Sequence, residues 1–106
     1  MFGFIKNIFS PKDNSQLMAL IKNGALLVDV RTPGEYAMGN VKGSVNIPLD
    51  KIPGTVNLLK EKKHIVVFCR SGNRSSQAKS FLEQKGFTNI TNGGTWQDLN
   101  KLVTNK

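Results

Sequence analysis

One cysteine, Cys69, and one histidine, His64, are all that this 106-residue chain offers of the two side chains most used to bind transition metals. A lone thiol excludes an internal disulfide, a cysteine zinc site and a resolving thiol within the chain. Arginine is also scarce: of fifteen basic residues only Arg31, Arg70 and Arg74 carry a guanidinium. No apolar run approaches the roughly 20 residues that cross a bilayer, so no stable membrane insertion is expected. The opening MFGFIKNIFSPKDN interrupts its apolar residues with Gly3, Lys6 and Asn7 and lacks a small-residue cleavage site. No signal peptide is expected from it, and with the lone thiol this points to a reducing, cytoplasmic setting. Acidic residues number seven against fifteen basic ones, giving a net charge of +8. The densest basic run is only Lys60-Glu61-Lys62-Lys63, with no aromatics interleaved, so nucleic acid is not an expected partner. The positive field instead attracts small anions and acidic protein surfaces in a salt-dependent way.

What the chain does contain is enough for one small domain: 39% hydrophobic and 21% charged residues. Residues 1–12 read as a tail closed by Ser10-Pro11, with Phe2, Ile5 and Phe9 as a weak apolar stripe; a tail that packs on the domain or frays is expected ahead of one that touches a membrane surface. Residues 13–106 read as the domain. Leu17, Leu20 and Ile21 predict a helix over 13–23, stopped at Asn23-Gly24. ALLVDV, residues 25–30, predicts a buried strand. Thr32 is the expected N-cap of a short helix, with Pro33 in its first turn and Glu35 near its positive end. Residues 44–47 form a third apolar piece ending at Pro48, and 50–59 a helix broken at Pro53-Gly54. Ile65 to Phe68 predicts the central strand, residues 75–85 a helix stopped by Gly86, and 87–91 a last strand. Asn92-Gly93-Gly94 reads as a turn, and 95–103 as a helix with Trp96, Leu99 and Val103 on one face. Strands alternating with helices imply an α/β fold with a small parallel β-sheet and helices on both faces.

Cys69 follows IVVF at once, and RSGNRSS then leads into the helix. The thiol therefore sits at the carboxyl end of a buried strand, where ligands bind in open α/β sheets. A helix N-terminus there offers unpaired N–H groups and partial positive charge, which favour a thiolate. Two of the three arginines, Arg70 and Arg74, lie within five residues of the thiol. Planar guanidinium groups hold oxyanions well.

These stretches resemble the rhodanese, or sulfurtransferase, homology domain. VDVRTPGEYAMGNVKGSVNIPL is similar to its first signature, FCRSGNRSSQA to its active-site loop and NGGTWQDL to its closing segment. Asn40 and Ser44 stand where many members have histidine and alanine, and Trp96 follows Gly94 sooner than is common. The resemblance implies a rhodanese-like fold and a catalytic role for Cys69, which takes up a sulfane sulfur as a persulfide. It implies that Arg70, Ser71, Gly72, Asn73, Arg74 and Ser75 form the substrate-binding loop, and that Asp29, Arg31 and Glu35 brace it. The partners implied are a small anionic sulfur donor such as thiosulfate, and a thiol, cyanide or protein-cysteine acceptor. No metal or cofactor is implied.

Rival chemistries fit less well. A cysteine–histidine hydrolase would need His64 as its base, yet five strand residues separate it from Cys69 by about 16 Å. By resemblance, phosphatases and arsenate reductases of this fold place five residues between cysteine and arginine, whereas only four separate Cys69 from Arg74. A binding domain without activity would be expected to have lost the cysteine. A sulfur carrier loaded by a protein desulfurase remains the alternative to a thiosulfate-using enzyme.

Overall fold

The structure, a computed structural model, describes residues 14–104. The expected tail over 1–12 lies outside the described residues. The elements run α1 (Ser15–Lys22), β1 (Leu26–Asp29), α2 (Pro33–Met38), β2 (Val45–Asn46), a 3₁₀ helix (Leu49–Thr55), α3 (Val56–Leu59), β3 (Ile65–Cys69), α4 (Asn73–Gln84), β4 (Ile90–Thr95) and α5 (Trp96–Thr104). The strands form one sheet in the order β2-β1-β3-β4, every pair parallel.

Strand β3 is buried along its whole length, as its unbroken IVVFC run requires. Its side chains alternate between two cores. Ile65, Val67 and Cys69 share one with Val28, Val30, Ile52, Leu59, Ala78 and Leu82, under α3 and α4. Val66 and Phe68 share the other with Leu27, Val41 and Leu99, where Leu17, Leu20 and Ile21 of α1 and Trp96, Leu102 and Val103 of α5 pack. Helices thus cover both faces. Each fully buried aliphatic side chain contributes about 1.5–3 kcal/mol.

The interrupted helix at 50–59 is a 3₁₀ helix carrying Pro53, followed by one turn of α3. A proline inside a helix removes a donor and crowds the preceding turn. Two other expectations need correction. The strand placed at 87–91 begins only at Ile90. Phe87 instead belongs to the C-cap of α4: its N–H donates to the Leu82 carbonyl at 3.1 Å, and its side chain is buried beside Leu82.

Asn92-Gly93-Gly94 is not a turn but the middle of β4. Val67 pairs with Asn92 and Phe68 with Gly94, so Gly93 is the extra residue of a β-bulge. A Cβ on Gly93 would come within 2.8 Å of Val66 Cγ1, and Gly94 has φ +83°, so both positions require glycine. The paired glycines bend the strand instead of ending it.

Candidate active site

Cys69 is the last residue of β3, and α4 starts at Asn73, two residues earlier than the sequence predicts. Only Arg70, Ser71 and Gly72 lie between them. Gly72 makes this short connection possible, because it caps α4 with φ +94°, a left-handed conformation that side chains with a Cβ rarely adopt. That conformation turns the Gly72 N–H back onto Cys69 Sγ at 2.9 Å. Cys69 Sγ also lies 3.5 Å from the Ser75 hydroxyl.

The residue is fully buried beneath this loop. Burial pushes the thiol pKa up. The Ser75 hydroxyl, with the N–H groups of Ser75, Ser71 and Gly72, pulls it down by more, and the net shift is downward. The Gly72 N–H and the Ser75 hydroxyl thus face the sulfur directly. The thiolate is favoured mainly by hydrogen bonds, less by the two arginines that its sequence neighbourhood brings to mind.

The arginines have separate fates. Arg74 donates from Nη1 to Glu35 Oε1 at 2.7 Å and from Nη2 to Oε2 at 3.0 Å, a two-pronged pair that largely neutralises it. Glu35 also closes the cap of α2. Its Oε1 accepts from the Thr32 N–H at 3.0 Å, while the Thr32 hydroxyl accepts from the Glu35 N–H at 3.2 Å. Arg74, then the Thr32 N–H, hold the Glu35 carboxyl down at about 2. Glu35 in turn raises the pKa of Arg74. Arg70, by contrast, is exposed and has no hydrogen bond or ion pair among the described residues.

Asp29 and Arg31 form a second pair deeper in the fold, both buried. Arg31 Nε reaches both Asp29 carboxylate oxygens at 2.9 Å and Nη2 reaches Oδ2 at 2.6 Å. Its remaining donors go to the carbonyls of Glu35 at 3.3 Å and Gly39 at 2.7 Å, and its guanidinium carbon lies 4.6 Å from the Trp96 ring centre. Of the three expected bracing residues, Glu35 alone contacts the cysteine loop. Asp29 and Arg31 hold the segment that carries Glu35.

Ser71 and Asn73 are exposed, and Ser75 is buried. Asn40 and Ser44 serve the backbone: Asn40 donates to the Tyr36 carbonyl at 2.9 Å and Ser44 to the Val41 carbonyl at 2.6 Å. His64 is exposed ahead of β3. A cavity of about 310 Å³ lined by Lys60, Lys63, Lys85 and Phe87 opens beside the amino ends of β3 and β4. It is the wrong end of the sheet for Cys69, and no expected site residue lines it.

Sequence reasoning missed Asn92. Its Oδ1 accepts from the Ser75 hydroxyl at 2.8 Å and the Gly94 N–H at 2.9 Å, and its Nδ2 donates to the Gly72 carbonyl at 3.3 Å. The available signal was a polar residue directly before two glycines near the end of a strand, which reads equally well as a turn.

A parallel α/β sheet whose central strand delivers a cysteine into a ring of backbone N–H groups defines a class of cysteine-loop domain. The chain belongs to the rhodanese-like domain family, whose pattern matches residues 13–95. It is 39% identical over 67 residues to a sulfurtransferase of Allochromatium vinosum, a match spanning 63% of each chain. It is 34% identical over 74 residues to the thiosulfate sulfurtransferase PspE of Escherichia coli, covering 68% of this chain and 71% of that one. Among solved structures, a rhodanese with anions from E. coli superposes with a TM-score of 0.65 at 32% identity, covering 71% of this chain and 91% of its own. No helix among the described residues is long and apolar enough to cross a membrane.

Proposed function

We propose that the protein is a sulfurtransferase that moves a sulfane sulfur from thiosulfate, or a similar small anion, to a thiophilic acceptor through a persulfide on Cys69. The observation that carries this reading is the Gly72 N–H, 2.9 Å from Cys69 Sγ, backed by the Ser75 hydroxyl. Groups that stabilise a thiolate serve a cysteine that attacks. In the first half-reaction the Cys69 thiolate attacks the outer sulfur of thiosulfate. A new S–S bond forms, the old one breaks, and sulfite leaves with the electron pair. Arg70, exposed and without a partner among the described residues, is the group available to hold the sulfite oxygens as charge develops there. An acceptor thiolate or cyanide then attacks the outer sulfur, and Cys69 leaves as thiolate.

Because Cys69 is fully buried, the loop over 70–72 must lift before the donor reaches the sulfur. The four residues from Arg70 to Asn73 frame a cradle suited to one sulfur atom rather than a tetrahedral phosphate. The relatives named sulfurtransferase support the same choice.

The test is to incubate the protein with thiosulfate and weigh it intact. A gain of one sulfur is expected, together with sulfur transfer to cyanide, and Cys69→Ser should lose both. Full activity in the serine variant would remove Cys69 from the reaction. Loading only from a cysteine desulfurase, and none from thiosulfate, would make the protein a sulfur carrier.

A further inference from the structure

The Ser75 hydroxyl has one proton and two acceptors. Asn92 Oδ1 lies 2.8 Å from Ser75 Oγ, and Cys69 Sγ lies 3.5 Å from it. The orientation of the Asn92 amide is not free to vary. Its oxygen must face the Gly94 N–H at 2.9 Å, and its nitrogen must face the Gly72 carbonyl at 3.3 Å. The opposite orientation would set two donors, and two acceptors, against each other. The same oxygen therefore faces Ser75. Ser75 is buried, so no water competes for the hydroxyl proton.

Two arrangements follow from the proton count. With Cys69 as a thiol, S–H donates to Ser75 Oγ and Ser75 donates on to Asn92. With Cys69 ionised, that direction would leave a hydroxyl lone pair facing a negative sulfur. The hydroxyl must then rotate its proton onto Sγ, and Asn92 Oδ1 keeps only the Gly94 N–H. We propose that Asn92 is a positioning residue for Cys69: it holds the Ser75 proton while Cys69 is a thiol and releases it to the sulfur on ionisation.

Resting on the reading of Cys69 as the nucleophile, this assigns to β4 a role that its sequence conceals. Asn92 anchors the Gly72 peptide whose N–H touches the sulfur, and it competes with the sulfur for the one hydroxyl proton. The charged groups at this end of the sheet are Asp29 at the end of β1 and Arg31 just after it, Glu35 on α2, Asp50 and Lys51 on the 3₁₀ helix, Arg70 and Arg74 around α4, and Asp98 on α5. None of them hydrogen-bonds Ser75 or Asn92 among the described residues.

The experiment measures the pH midpoint of Cys69 alkylation by a small neutral reagent in wild type, Asn92→Ala, Ser75→Ala and the double variant. Removing Asn92 frees the hydroxyl for the thiolate but also loosens Gly72. The Ser75→Ala background isolates the second effect. The midpoint change caused by Asn92→Ala should lie lower in the wild-type background than in the Ser75→Ala background by about 0.5 unit, roughly threefold in rate below the midpoint. Equal changes in the two backgrounds would reduce Asn92 to a brace and overturn the proposal. Should Asn92→Ala fail to fold, Asn92→Asp keeps both acceptor bonds and grips the proton harder. Its upward shift should then be larger in the wild-type background than with Ser75→Ala, and equal shifts again overturn the idea. Alkylation needs no sulfur donor, so failure here is distinct from failure to take sulfur from thiosulfate.

Discussion

Two arginine–carboxylate pairs lie at the carboxyl end of the sheet, and they are built in opposite ways. Arg31 and Asp29 are two residues apart, 4% and 0% exposed at the side chain, and Arg31 also ties in two carbonyls and the Trp96 ring. Arg74 and Glu35 are 39 residues apart, 31% and 29% exposed, and join the first turn of α4 to α2. The ionic contact is alike, yet its surroundings decide its use. A dry pair cannot lose one partner without stranding the other, whereas a wet pair can be opened and solvated. The first belongs to the scaffold of the 31–39 segment. The second is a partly exposed latch between the first turn of α4 and α2.

The comparison is tested most severely by Arg31→Ala. It strands the buried Asp29 carboxylate and frees the carbonyls of Glu35 and Gly39. A loss of about 3–5 kcal/mol in urea unfolding is expected. A loss no greater than that of Glu35→Gln would erase the distinction between the two pairs.

Glu35→Gln should have the smaller effect, about 1 kcal/mol at neutral pH, since water and salt screen a partly exposed pair. Its pH dependence identifies it. The Glu35 pKa falls from 4.5 to about 2 on folding, so its stabilisation is complete above pH 4.5 and fades as pH drops toward 2. Wild type and Glu35→Gln should thus differ in thermal midpoint at pH 6 and converge near pH 2. A difference that persists at low pH would mean that the carboxylate charge is not what holds Arg74.

How much of this was legible beforehand depended on how local each feature is. The IVVF strand, the Thr32–Glu35 cap and the placing of Cys69 before a helix follow from neighbours within a few residues, and the sequence reading finds all three, though the strand runs one residue further, through Cys69. The path of β4 does not. Whether two glycines turn a chain or bulge it depends on what lies across the sheet, here Val66 packed where a Gly93 side chain would stand. Mistaking that bulge for a turn hid Asn92, because a turn residue has no fixed neighbour on β3. The division of labour between Arg70 and Arg74 was equally hidden. It rests on Glu35, supplied from a helix 39 residues away.

Arg70 completes the comparison as the arginine with no carboxylate partner among the described residues. It is exposed and makes no hydrogen bond or ion pair among the described residues, so Arg70→Met should change stability by no more than about 0.5 kcal/mol. Its guanidinium is nevertheless the uncommitted one closest in sequence to the thiol. A charge-assisted hydrogen bond to a sulfite oxygen is worth about 1.5–3 kcal/mol, so its loss should lower kcat/KM for thiosulfate by roughly tenfold or more. Alkylation of Cys69 by a neutral reagent should hardly change, because the groups that stabilise the thiolate are Ser75 and the loop N–H groups. Measuring both rates on one preparation separates substrate binding from thiol activation. If thiosulfate loading survives Arg70→Met and fails in Arg74→Met, the paired arginine holds the substrate, and the Glu35 latch must open to release it.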